Sequence, residues 1–221
     1  MSRVLIIADP HEPYTHPKYI DHCRYIRSKY KTDKTIHIGD EVDNHSISYH
    51  EHDPNGLSPS SEMAKAKERM GLWYKHFPRV MVCVSNHGSL IYRKVKTAGL
   101  PREVVKDYRE LWGAPDTWEW GQEWNIDDVE YIHGEGYSGK YAYANCSMKS
   151  RVNTVLGHLH SVCGIHWSGS SRDRLFGMSV GCGIDRHAYA FAYGKHAAVK
   201  PFLACGVVID GKLPIVCPME M

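Results

Sequence analysis

Histidine and aspartate recur in this chain at the ends of short apolar runs. Asp9 and His11 follow residues 3–8, Asp40 and Asp43 follow 35–38, and Asn86 and His87 follow 79–84. His133 ends the run 129–132, and His158 and His160 come just after 154–156. Carboxylates, imidazoles and one amide are the donor set of Mn, Fe, Zn or Ni, rather than of an all-oxygen calcium site. The chain holds 15 histidines, a high number, which makes metal chemistry the first reading to examine. Asp9 and His11 are two apart, as are His158 and His160, so on a continuing strand each pair would face one side.

Each fragment alone has a plainer reading. Asp9-Pro10-His11 makes an ordinary surface turn, and Gly39-Asp40 with Asp43 makes a turn plus a helix cap. Asn86-His87 is a polar turn, and His133 is a core or turn histidine. Gly157-His158-Leu159-His160 is the most specific piece. All five recur in order, each after an apolar run, and that recurrence points to one shared centre.

The elements that must position these residues are legible from periodicity. Residues 3–8 (RVLIIA), 35–38 and 79–84 are continuous apolar runs, the pattern of strands buried on both faces. Residues 17–30 have helical spacing, so strand, helix and strand within the first 40 residues read as a βαβ unit with parallel strands. Ligands of such sheets gather beyond the carboxyl ends of the strands. Residues 44–61 are a long polar loop, functional or mobile. A helix is expected over 61–77, capped by Ser60 or Ser61, with further helices over 90–98 and 102–111. Strands are expected over 129–133, 154–156, 161–167, 175–180, 203–209 and 213–216. Helices early, strands late and no linker imply one α/β domain, residues 1–221, built on two sheets.

Asp9-x-His11, Gly39-Asp40-x-x-Asp43, Asn86-His87, His133 and Gly157-His158-x-His160 together resemble the signature of the calcineurin-like metallophosphoesterases, and the compact length is similar to that of small phosphoesterases of bacteria and bacteriophages. The resemblance spans roughly residues 3–165. It implies a sandwich of two mixed β-sheets flanked by helices, and two divalent metal ions: Mn foremost, with Fe, Zn, Ni or Mg as alternatives. One metal would take Asp9, His11 and His160, and the other Asn86, His133 and His158, with Asp40 bridging both. His87 would stand beside the substrate phosphate as the catalytic acid, and Asp43 would support it by orienting His87 or a backbone turn. Two positions depart from the family pattern: Ser85 stands where it has glycine, and Gly88 where it has an acid. The run from Gly39 to Asn44 also lacks the Arg-Gly continuation of the serine/threonine protein phosphatases.

The implied chemistry is hydrolysis of a phosphate ester by a metal-bridging hydroxide, with the cations about 3.5–4 Å apart. A phosphodiesterase acting on DNA, RNA or nucleotides leads. A phosphomonoesterase for small molecules or phosphoproteins is the alternative, and a scaffold without activity comes third. Substrate contacts are sought in His45 and His50 of the polar loop, and in Arg93 beyond Asn86-His87. Lys140 and Arg151 lie between two metal motifs and could also meet phosphate. Trp112, Trp118, Trp120 and Trp124 read as core or an oligomer contact, and His166, His187 and His196 as structural or surface residues.

Composition sets outer limits. The chain has 221 residues, with 43% hydrophobic, 24% charged and a net charge of +2, so attraction of nucleic acid by the whole surface is not implied, though a local basic patch fits. Seven cysteines without a Cys-x-x-Cys pair read as small buried hydrophobes in a reducing compartment rather than as a disulfide framework. Without a leader pattern or a run of about 20 apolar residues, a cytoplasmic protein off the membrane is expected.

Overall fold

The computed structural model describes residues 2–49, 55–189 and 200–220. Two mixed sheets stack face to face with helices outside them. The first begins with β1 (Arg3–Ile7), β2 (Lys34–His37), β3 (Val80–Cys83) and β4 (Trp118–Gly121). These four are parallel neighbours in chain order, and β10 (Ala204–Ile209) and β11 (Leu213–Pro218) extend the other edge antiparallel. The second sheet runs β5 (Glu123–Ile126), β6 (Val129–Ile132), β7 (Asn153–Leu156), β9 (Arg174–Val180) and β8 (Cys163–Gly169). In it β6, β7 and β9 are parallel, and both edge strands are antiparallel.

Alternation along the strands explains why two layers form. Leu5 and Ile7 point into a core shared with α1 (Tyr19–Tyr30) and α2 (Pro59–His76), where Trp73, Trp112 and Trp118 are buried. Val4, Ile6 and Ala8 face the other way, into a core between the sheets with Tyr131, Val155, Phe176 and Met178. A strand apolar on both faces must be covered on both.

Several elements differ from what the sequence predicts. The expected helix over 102–111 is a short 3₁₀ turn (Arg102–Val104) followed by α4 (Tyr108–Trp112). Asp107 starts α4 by accepting a hydrogen bond from the Glu110 N–H at 2.8 Å, which a continuous helix would preclude. Ser58 caps α2, with Pro59 as its first residue, and α2 therefore starts two residues earlier than expected. The tryptophan-rich stretch supplies β4 and β5, one strand to each sheet. Trp112 and Trp118 are core residues as expected. A helix, α5 (Ala142–Ser150), lies where none was anticipated. Arg151 is ion-paired with Asp173 in the turn between β8 and β9. Six of the seven cysteines are buried. His50 and His196 lie outside the described residues. Among the described residues no helix is long and apolar enough to cross a membrane.

Candidate metal centre

The carboxyl ends of β1, β2 and β3 in one sheet, and of β6 and β7 in the other, meet at one end of the sandwich. Asp9 and His11 leave β1, Asp40 leaves β2, Asn86 and His87 leave β3, His133 ends β6, and His158 and His160 leave β7. The loops after β1 and β2 are joined by backbone hydrogen bonds from His11 N to Asp40 O (2.9 Å) and from Asp43 N to Glu12 O (3.0 Å). Asp9, His11, Asp40, Asn44 and His158 have φ of 23°, 54°, 48°, 54° and 65°. Five of the ten non-glycine residues with positive φ among the described residues thus sit at this one end. Each costs of order 1–3 kcal/mol, a strain that folded proteins concentrate at functional sites.

Asp40 is the hub. Its Oδ2 lies 3.3 Å from His11 Nε2, 3.3 Å from His133 Nε2 and 3.9 Å from His160 Nε2. Asp9 Oδ2 lies 3.7 Å from His160 Nε2 and accepts the His158 N–H at 2.6 Å. His133 Nε2 is 2.8 Å from Asn86 Oδ1. Three groups offer ligand atoms within 4.8 Å of one another: His11–Asp40–His87, Asp40–His133–His158 and Asp9–Asp40–His160. Asp40 belongs to all three.

The outer nitrogens are already spoken for. His133 Nδ1 faces the Ile38 carbonyl at 3.1 Å, and a carbonyl only accepts, so Nδ1 carries the proton and Nε2 points into the cluster. His11 Nδ1 donates to Asp43 Oδ1 at 2.8 Å, which turns its Nε2 inward in the same way. Ligating imidazoles are held by this arrangement, a proton donated outward fixing the tautomer that binds inward. His11 Nε2 and His160 Nε2 then face each other at 3.0 Å. Two lone pairs that close need a proton or a cation between them. Among the described residues, Asp9 Oδ1 and Asp40 Oδ2 are buried carboxylate oxygens without a well-formed hydrogen bond, Asp40 Oδ2 having only imidazole nitrogens at 3.3 Å and beyond. These orphaned atoms, in a mixed carboxylate and imidazole set, fit divalent transition metals.

Electrostatics within the protein alone tell the same story. Burial opposes charge on every group, yet Asp40 is held well below the usual carboxylate range by His133, His87 and His11. Burial works against the His11 and His133 imidazoliums, but Asp40 outweighs it together with Asp43 at His11 and with Asp9 and the Ile38 carbonyl at His133, raising them to about 10 and about 9. Burial lifts Asp9 to about 6, and burial lowers His160 to about 4. His87, also opposed by burial, is raised by Asp40 and Asp43. Protons on some imidazoles therefore balance carboxylates that cations would otherwise balance.

Two glycines and one serine set the fit. Gly39, at φ 114°, passes so close that a Cβ would fall 2.6 Å from His133 Nδ1. At Gly157 a Cβ would fall 2.5 Å from Asp9 Oδ1. Ser85 Oγ accepts the N–H groups of Asp40 (2.8 Å) and Gly88 (3.1 Å), which ties the β2 turn to the β3 turn. Beside it, the Glu41 carboxylate takes up the room next to Gly88, 2.9 Å from where a Cβ there would stand, and accepts the Trp120 indole N–H at 3.1 Å. Sequence reasoning did not find Glu41, whose only signal was its place after Asp40.

The structure brings together Asp9, His11, Asp40, Asn86, His87, His133, His158 and His160. Asp43 adjoins them, its carboxylate 2.8 Å from His11 Nδ1 and 3.3 Å from His87 Nδ1. Its backbone carbonyl is closer to that nitrogen, at 2.5 Å. His45 is 6% exposed, with its N–H bound at 2.8 Å by Glu62, which also accepts the Ser46 N–H at 2.8 Å. Arg93 stands outside the cluster, 5.7 Å from the ring of Tyr49.

No family model matches the chain, and no curated protein does. Solved structures do resemble it. Vacuolar protein sorting 29 from Cryptosporidium parvum is 12% identical with a TM-score of 0.45, the match covering 100% of this chain and 97% of that one. The phosphoesterase YfcE from E. coli is 12% identical at a TM-score of 0.43, covering 94% and 88%. The nuclease MPE from Pseudomonas putida is 12% identical at 0.40, covering 98% and 87%. At such TM-scores and identities the likeness says nothing of what this chain does.

Proposed function

We propose that this chain, as a single domain, is a phosphoric ester hydrolase that works with two divalent metal ions and acts on phosphodiesters of nucleic acids or nucleotides. The observation that carries the reading is the buried Asp40 carboxylate, which belongs to all three candidate ligand groups. In this reading Asp9, His11 and His160 hold one metal, Asn86, His133 and His158 the other, and Asp40 both. Manganese is the first metal to test. Bound cations would neutralise the phosphate oxygens and lower the pKa of water to near neutrality. Asp43 keeps the His11 proton on Nδ1, and the Ile38 carbonyl does the same for His133. His87 is 16% exposed, at the open side of the cluster, with Nδ1 against the Asp43 carbonyl. Asp40 and Asp43 shift its pKa upward against burial, which favours the protonated ring that would give a proton to the departing alkoxide.

The test is a matrix of metals (Mn, Ni, Mg, Zn) against substrates: bis-p-nitrophenyl phosphate, p-nitrophenyl phosphate, single- and double-stranded DNA, RNA and cyclic nucleotides. The expected outcome is metal-dependent turnover with the diester ahead of the monoester. The reverse order makes the chain a phosphomonoesterase. Neither bound metal nor hydrolysis under any condition returns it to a scaffold.

A further inference from the structure

Acidic residues vanish from one part of this chain. Between Glu68 and Glu103 there is no Asp or Glu, while seven Lys and Arg occur: Arg69, Lys75, Arg79, Arg93, Lys94, Lys96 and Arg102. The whole chain carries only +2, so this stretch concentrates positive charge that the rest offsets. Its middle is the turn bearing Asn86 and His87, and α3 (Leu90–Thr97) starts directly after it. Arg93 and Lys96 on α3 are exposed, Lys94 is half-buried, and among the described residues none of the three is ion-paired with a carboxylate.

Aromatic rings are interleaved with these cations. Lys94 Nζ lies 3.7 Å from the centroid of Tyr49 and Arg93 5.7 Å from it. Tyr49 is nevertheless 54% exposed. Its hydroxyl lies 3.0 Å from Thr97 Oγ1, and Lys94 Nζ donates to Ser48 O at 3.3 Å, so ring and helix are fixed to each other. Farther along, Arg102 stacks over Tyr92 at 3.7 Å. The same loop reaches the metal centre, where Asn44 Nδ2 donates to His87 O at 2.9 Å. Residues 93–97 come six to ten positions after His87. At 1.5 Å per helical residue that is about 9–15 Å, or roughly three or four nucleotides of a stacked strand at 3.4 Å each.

We infer that the exposed face of α3, with Tyr49 beside it, is a track for single-stranded nucleic acid running away from His87. Arg93, Lys94 and Lys96 take backbone phosphates, and Tyr49 offers a ring on which a base stacks without regard to sequence. A single strand fits better than a duplex, because only unpaired bases present a face to an exposed tyrosine. The proposal rests on the hydrolase reading for what is cut at the end of the track. Binding itself requires no metal and no turnover.

The test is fluorescence anisotropy with a labelled oligothymidylate, in EDTA, across a series of NaCl concentrations. The protein should bind, with affinity falling steeply as salt rises. The triple variant Arg93→Glu/Lys94→Glu/Lys96→Glu should weaken binding by about tenfold or more and flatten the log–log salt slope by about 2, at some 0.7 per lost phosphate contact. Tyr49→Ala should weaken binding by about tenfold, while Tyr49→Phe keeps most of it. Lys65→Glu/Lys67→Glu, the same type of charge reversal on α2, should leave binding unchanged. Circular dichroism melts confirm that each variant is folded, and Arg93→Gln/Lys96→Gln serves if the triple variant is not. No binding by the intact protein overturns the track, as does a triple variant with unaltered affinity and slope. A tighter hold on a duplex of the same length overturns the single-strand assignment. Because the assay contains a chelator, an inactive but oligonucleotide-binding protein sinks the hydrolase reading and spares this one, and the converse holds equally.

Discussion

Raising the pH should strengthen metal binding far more steeply than ordinary histidines allow. His11 and His133 are raised to about 10 and about 9, so both rings hold a second proton at pH 7. An imidazole must lose that proton to ligate. The proposed sets give one such ring to each metal, so each metal's apparent affinity should climb about tenfold per pH unit between pH 7 and 8. Rings of ordinary pKa, near 6.5, are mostly neutral by pH 7 and would give only about a 1.3-fold change over the same interval. The sign reverses for the metal-free protein. A folded-state pKa above the unfolded value stabilises fully below about pH 6.5 and ceases to do so as pH passes through about 9 and about 10. Metal-free protein should therefore melt at lower temperature as pH rises from 6.5 to 9, while the increment from added metal grows. Calorimetric titration in buffers of differing ionisation enthalpy counts the protons, with about two released per protein at pH 7.5. Metal competition against a chelator at pH 7 and pH 8 reads the slope. Release of no protons, or an affinity that changes less than about twofold between those pH values, refutes the reasoning.

Three substitutions probe the shell around the cluster. Asp43→Asn should cost about 10–100-fold in metal affinity, measured by competition with a chelator, because His11 loses the carboxylate that fixes its tautomer. Gly39→Ala should destabilise by about 2–4 kcal/mol in urea titrations and deplete bound metal, since the new methyl meets His133 and a positive φ disfavours it. Glu62→Ala leaves the N–H groups of His45 and Ser46 without their acceptor and should cost about 1–3 kcal/mol, with metal content preserved.

The strand ends were readable because two simple patterns coincide there. Unbroken apolar runs mark strands covered on both faces, and the polar residue after each run has nowhere to lie but the sheet's edge. Periodicity gave no purchase on α5, whose small side chains between Ala142 and Ser150 follow a glycine-rich turn and form only a weak apolar stripe. The strand Trp118–Gly121 was hidden by tryptophans, whose size marks burial but not direction. Recurrence of the motif pointed to one shared centre, but which residue meets which across the sheets came only through resemblance, because no local rule brings His133 to Asn86. Ser85 stood out in the sequence as a departure from a pattern. Its hydroxyl turns out to hold two N–H groups of neighbouring turns, a role with no sequence signal of its own.

The donors arrive from separate layers: Asp9, His11, Asp40 and Asn86 on the six-stranded sheet, His133, His158 and His160 on the five-stranded one. A cation gripped from both sides is also a rivet through the sandwich. Sliding either layer past the other by one residue, about 3.3 Å, would tear the grip apart. Occupancy should therefore be felt deep in the apolar seam, where amide hydrogens of β2 and β7 would exchange more slowly once the rivet is in.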